Sequence, residues 1–217
     1  MNKYTIAEPI RQEITIEKSR FICSLAKVAS EEEAQEFIKK IKKEYWNATH
    51  NCSAYVIGEN SKAERSSDDG EPSGTAGIPM LEVLRKNSLY NVAAVVTRYF
   101  GGIKLGAGGL VRAYTGSVAE AVEAAGLAQI VHMGVYSFLW NVEDVGKVLN
   151  ILYHQSFFTL GDVKYGSRAT INVILPVADK EKTEDWLTEV LRKKIELKQE
   201  QIYGEERRIV GNKHGKK

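Results

Sequence analysis

The stretch from Asn91 to Gly126 constrains this chain most. It opens with the apolar run Val92-Ala93-Ala94-Val95-Val96 and continues through Thr97-Arg98-Tyr99-Phe100. Next comes Gly101-Gly102-Ile103-Lys104-Leu105-Gly106-Ala107-Gly108-Gly109, then Leu110-Val111-Arg112-Ala113-Tyr114 and an alanine-rich segment. A short apolar run bounded by glycine predicts a buried strand. Val118, Ala121, Val122 and Ala125 fall at helical spacing and predict a long helix whose small residues allow close approach to a sheet. Between them, five glycines in nine residues (Gly101, Gly102, Gly106, Gly108 and Gly109) predict a loop, because glycine lacks Cβ and accepts positive φ.

A helix starting behind such a loop presents unpaired N–H groups and the positive end of its dipole, a combination that favours an anion. Arg98 precedes the loop, Lys104 lies within it and Arg112 follows it. These three cations and the five glycines form a candidate anion or nucleic-acid site. The plain alternative is that the glycines only permit a tight connection and close packing; on spacing alone both stand. The loop fits neither the P-loop pattern nor a dinucleotide-binding G-x-G-x-x-G with an acidic ribose contact.

At 217 residues the chain is long enough for one large or two modest domains. A formal charge of +2 argues neither for nor against nucleic acid, so any basic surface must be local. Cys23 and Cys52 lie in expected strands without a C-x-x-C, which predicts reduced, buried side chains and a cytoplasmic setting. The start carries no apolar signal core, and no apolar run approaches the ~20 residues of a membrane helix, so no membrane partner is expected.

Along the chain, residues 11–17 and 21–28 read as strands with Ser19-Arg20 at the turn. Ser30 with Glu33 forms a capping box for a helix whose buried face is Ala34, Phe37, Ile38, Ile41 and Tyr45. Lys39, Lys40, Lys42 and Lys43 fall mostly on its solvated side. Residues 50–58 read as a strand and 59–65 as a polar, mobile segment. Residues 66–79 are rich in Gly and Pro and read as an irregular loop, followed by a helix over 80–87. A loop this long within a compact domain is often functional. Its Asp68, Asp69 and Glu71 could hold a divalent ion or act as acid and base; the plain alternative is that the Asp side chains cap turns and Glu71 faces water. No ligand set is complete, so no metal site is assigned, and a divalent ion near Asp68 and Asp69 stays only a candidate. His50, Tyr99 and Tyr114, with these three carboxylates, are candidate cleft residues, and for each aromatic a place in the core is equally open.

Residues 127–132 bridge to a second unit. Strands are expected over 135–142, 157–165, 168–175 and 195–203, with helices over 143–155 and 179–194. The order is βαββαβ, the ferredoxin-like pattern. Residues 205–217 are expected to form a disordered basic tail carrying Arg207, Arg208, Lys213, Lys216 and Lys217.

The residues Asp68-Asp69-Gly70-Glu71-Pro72-Ser73-Gly74-Thr75-Ala76-Gly77, followed by the run from Val96 to Tyr114, resemble the signature of the IMPACT family, in its bacterial YigZ- or YvyE-like branch. The similarity covers residues from about 15 to 128, and the βαββαβ unit matches the extra C-terminal domain of bacterial members. The resemblance implies an α+β protein. Its domain 1–132 would be an α/β sandwich like ribosomal protein S5 domain 2, and its domain 133–204 would be ferredoxin-like. That pair is similar to two consecutive domains of the translocation elongation factor. Eukaryotic relatives regulate translation through a partner of an initiation-factor kinase. The resemblance brings no established catalytic residues. Some members are labelled proline dipeptidases, but no H-E-x-x-H occurs here, and His50, His132, His154 and His214 sit on unlike elements.

Three functions follow as expectations. The first is a non-enzymatic, cytoplasmic RNA- or ribosome-binding protein that regulates translation, with Arg98, Gly101, Gly102, Lys104, Gly106, Gly108, Gly109 and Arg112 at a phosphate. The second is an enzyme acting on a phosphorylated small molecule or nucleotide. The third is a module that docks a protein partner.

Overall fold

The computed structural model describes residues 4–209. They form an α+β protein with two compact units: residues 4–129 together with 207–209, and Ile130–Glu206.

The first unit is built on an antiparallel sheet of β2 (Ile10–Ile16), β3 (Ser19–Lys27), β4 (His50–Ile57), β5 (Ala63–Ser67) and β6 (Val92–Tyr99), in the order β2-β3-β6-β4-β5. Its short first strand, β1 (Thr5–Ile6), pairs instead with Ala128 and Leu127 at the start of β7 (Leu127–Trp140). Strand β6 is central because it is apolar on both faces: Val92 to Arg98 are all buried. Both faces of such a strand must be covered, and successive side chains point opposite ways. Tyr55 and Ala93 pack with Ala34 of α1 (Glu31–Glu44). Cys52, three residues from Tyr55 and so on the other face, meets Tyr114 of α3 (Gly106–Ala125). Helix α2 (Gly77–Lys86) packs beside α3 and against β4. Fully buried Phe21, Leu25, Met80, Leu84 and Tyr114 contribute to this core, each stabilising it by about 1.5–3 kcal/mol.

Helix α1 starts where the capping box places it. Ser30 Oγ accepts from Glu33 N, and the Glu33 carboxylate accepts from Ala29 N. Several boundaries differ from expectation. The β2–β3 turn is Glu17-Lys18, not Ser19-Arg20; both turn residues take positive φ (45° and 63°), as a two-residue hairpin demands. Strand β5 falls where polar, irregular chain was expected, because Ala63–Ser67 pairs with β4 through its backbone and has no apolar alternation. Helix α2 begins at Gly77, before Pro79. Helix α3 begins at Gly106, so Gly108 and Gly109 belong to its first turn and not to the loop.

In the second unit the element order is β7, α4 (Val145–Tyr153), β8 (Thr159–Lys164), β9 (Ala169–Pro176), α5 (Lys180–Leu191) and β10 (Lys198–Ile209). The strands lie in the order β10-β7-β9-β8. Alternate residues of β9 (Ala169, Ile171, Val173, Leu175) meet Tyr136 and Phe138 of β7, Val148 and Leu152 of α4 and Leu187 of α5. The expected bridge over 127–132 is the first part of β7. The expected tail starts later than the sequence suggested, since residues 205–209 continue β10. Lys213, Lys216 and Lys217 lie outside the described residues.

Candidate functional site

The β6–α3 connection, the start of β4 and the loop before α2 surround a cleft of about 470 Å³. Its lining includes His50, Glu71, Arg98, Phe100, Lys104 and the first helical residues Gly106 and Ala107. The sheet register explains the floor. Arg98 stands opposite Phe21 on one side and His50 on the other, so the three side chains share the face covered by α3.

Arg98 is only 5% exposed. Its Nη1 donates to Glu71 Oε1 at 2.6 Å, and its Nη2 reaches Ser19 Oγ at 3.4 Å. Its Nε has no hydrogen-bond partner among the described residues. The guanidinium carbon lies 5.4 Å from the Phe21 ring centre and 5.5 Å from that of Phe100. Glu71, 7% exposed, also accepts from the Tyr114 hydroxyl at 2.8 Å. Burial above all, with the neighbouring Cys52 and Glu71, pushes the Tyr114 hydroxyl far above its ordinary pKa, so it stays a donor to Glu71. Tyr114 is therefore a fully buried support beneath the cleft. Tyr99, on the opposite face of β6, donates to Asn47 Oδ1 at 2.9 Å and does not line the cleft.

His50 Nδ1 lies 2.8 Å from the Asp69 carbonyl oxygen. A carbonyl only accepts, so Nδ1 carries a hydrogen, and Nε2 faces Glu71 Oε2 at 3.8 Å. The three loop carboxylates thus have three different tasks. Asp68 accepts from Gly74 N, Ala76 N and Gly77 N at 2.8, 3.0 and 2.8 Å. Burial opposes ionisation of Asp68, but those three N–H groups outweigh it and hold the carboxyl below the usual aspartate value. Asp69 takes Lys42 Nζ and, at 2.7 Å, Asn51 N. Glu71 alone turns to the cleft. Among the described residues no group of three or more His, Cys, Asp or Glu side chains is placed to hold a metal ion.

The connection itself is moulded from outside. Phe100 N donates to Thr49 Oγ1 and Gly101 N to Ser19 Oγ. A Cβ on Gly101 would lie 2.0 Å from the Lys18 carbonyl carbon, so only glycine fits. Helix α3 has no side-chain N-cap bond at Leu105 among the described residues, so its first N–H groups are left to face the cleft mouth. Lys104 is exposed at that mouth. Arg112, by contrast, lines a neighbouring hollow with Glu17, Ile103 and Gly109, and Lys104 borders both. Phe100 and Thr49 line the cleft although the sequence did not single them out. The signal for Phe100 was a bulky apolar residue placed between a polar strand end and a glycine pair.

The fold and cleft define a class: an α+β protein with an uncapped, glycine-rich helix start facing a partly charged cavity. Comparison with known proteins bears on the family. The Impact N-terminal domain matches residues 17–122. IMPACT family member YvyE of Bacillus subtilis is 48% identical over 92% of this chain and 91% of its own. The Escherichia coli member YigZ is 46% identical over 118 residues, 54% of this chain and 58% of its own. A crystal structure of a hypothetical protein aligns at 32% identity with a TM-score of 0.58, over 92% of this chain and 97% of that one. The chain belongs to the IMPACT family.

Proposed function

We propose that this protein binds RNA, on the ribosome, and regulates translation through that contact in the cytoplasm. The observation that carries the reading is the cleft mouth. There the uncapped first turn of α3, the exposed Lys104 and the buried Arg98 converge. A phosphate there meets backbone N–H groups and positive charge together. Gly101 and Gly102 shape the approach, Gly106, Gly108 and Gly109 keep the first turn bare, and Arg112 extends the positive edge. His50 and Glu71 complete the inner wall. In this reading residues 1–132 act as an S5 domain 2-like domain and 133–204 as a ferredoxin-like one. The strand order β10-β7-β9-β8 supports the second assignment. Two free, buried cysteines suit the cytoplasm.

The test is co-sedimentation with ribosomes and separated subunits across a salt series. Binding to one subunit at physiological salt, weakened by Lys104→Ala with Arg112→Ala in a protein that still folds, is the expected outcome. Absence of binding, or only indiscriminate binding at low salt, would reject it. A second reading, an enzyme acting on a phosphorylated small molecule, is favoured by one observation: His50 is held through Nδ1 with Nε2 turned toward Glu71 in the cleft. Stabilisation by one phosphorylated metabolite in a thermal-shift screen would select it.

A further inference from the structure

We infer that the cleft takes one unpaired nucleotide of an RNA strand, its phosphate at the first turn of α3 and its base against Phe100. The inference rests on the RNA reading above and adds which form of RNA is read, and by which side chain.

Phe100 directly follows the central strand and leaves 48% of its surface open. Its ring lines the cleft, whereas that of Phe21 is wholly buried in the core. Arg98 stands beside the ring with its guanidinium carbon 5.5 Å from the ring centre. Stacked aromatic and guanidinium groups form the usual platform for a splayed-out base. Within the cleft lining Arg98 is also a buried polar group with donor capacity left over: Nη1 is held by Glu71, whereas Nε has no partner among the described residues.

The phosphate position follows from α3. A Cβ at Gly106 would meet nothing within 4 Å, so packing does not require glycine there. Its φ of +68° does, and the bare backbone leaves the following N–H groups open to a ligand. Lys104 lies beside them. Glu71, on the inner wall, repels a second phosphate, so the cleft admits one phosphate at its mouth and an uncharged ring further in. In a duplex the base faces are already stacked on one another, and Phe100 could not reach them without opening the helix.

The test uses the full chain and fluorescence anisotropy at physiological salt. Three probes of about 12 nucleotides are compared: a uridine-rich single strand, the same strand annealed to its complement, and an abasic strand of equal length. The expected result is binding to the single strand at least ~10-fold tighter than to the duplex, with Phe100→Ala losing roughly 10-fold or more on the single strand. The same variant should lose little on the abasic strand, and Phe100→Tyr should restore most of the affinity. Equal affinity for duplex and single strand, or full affinity in Phe100→Ala, overturns the inference while leaving RNA binding intact. No binding of any probe by the unaltered protein overturns both.

Discussion

Arg98 donates to Glu71 at 2.6 Å with both side chains almost out of solvent, one on the central strand and the other on a loop without regular structure. The pair fastens that loop to the sheet. Glu71 also takes the Tyr114 hydroxyl, so strand, loop and helix α3 meet at one carboxylate. Cys52, on the next strand, lies 3.3 Å from the same hydroxyl and extends the polar cluster into the core.

Breaking one member of a buried ion pair leaves the other charged and unpaired, which costs about 3–5 kcal/mol. Glu71→Gln is therefore expected to lower stability by about that amount. Arg98→Met combined with Glu71→Gln should recover much of the loss, because no lone charge then remains buried. Urea denaturation of the two single variants and the double variant measures the coupling directly.

Asp68 gives a pH dependence with a definite sign. Its folded carboxyl lies below the usual aspartate value of 3.8. The carboxylate's contribution is thus complete above that value and is lost as pH falls through the lower, folded-state value. Urea midpoints measured from about pH 6 to about pH 2 should fall for the unaltered protein more steeply than for Asp68→Asn. At neutral pH, Asp68→Ala is expected to cost about 2 kcal/mol, since three backbone donors lose a charged acceptor.

Adjacent glycines should respond differently to the same substitution. In Gly101→Ala the new methyl collides with the Lys18 backbone, and displacement of the hairpin or the loop is unavoidable. Gly102 has φ of +86° and no atom within 4 Å of an added Cβ. Gly102→Ala therefore meets only backbone strain of about 1–2 kcal/mol. Thermal melts are expected to place Gly101→Ala well below Gly102→Ala.

Burial raises the thiol pKa of both cysteines, that of Cys52 to about 12. The thiolate is the reactive form, so neither cysteine should react with a colorimetric disulfide reagent at neutral pH in the native protein. Both should react fully in denaturant. Rapid labelling of Cys52 under native conditions would show that the wall between β4 and α3 opens readily.

What could be read in advance depended on whether a residue's neighbours in sequence are also its partners. The Val92–Val96 run and the Ser30–Glu33 cap are local patterns, and both elements lie where the pattern puts them. Strand β5 was invisible because its five residues carry no apolar alternation and are held by backbone bonds to β4 and by the distant partners Arg85 and Glu31. The first turn of α3 was read as loop because its glycines weaken helix propensity locally, whereas packing of Leu110, Ala113 and Tyr114 fixes the helix from further along. In the site, the sequence named Arg98 and Glu71 separately. Their union joins positions 27 residues apart and depends on how the loop returns to the sheet. A longer separation, 43 residues from Glu71, hid the role of Tyr114, which the sequence left between cleft and core.

The collision course between Gly101 and the Lys18 carbonyl has a practical consequence for anyone wishing to reuse this glycine-rich segment. The glycine-rich segment is a casting whose mould lies 82 residues away, in the β2–β3 hairpin and its Ser19 hydroxyl. Grafted alone onto another helix, residues 101–109 would arrive without the surface that shapes them. A transplant, or a search for unrelated proteins using the same device, has to carry the hairpin tip as well as the glycines.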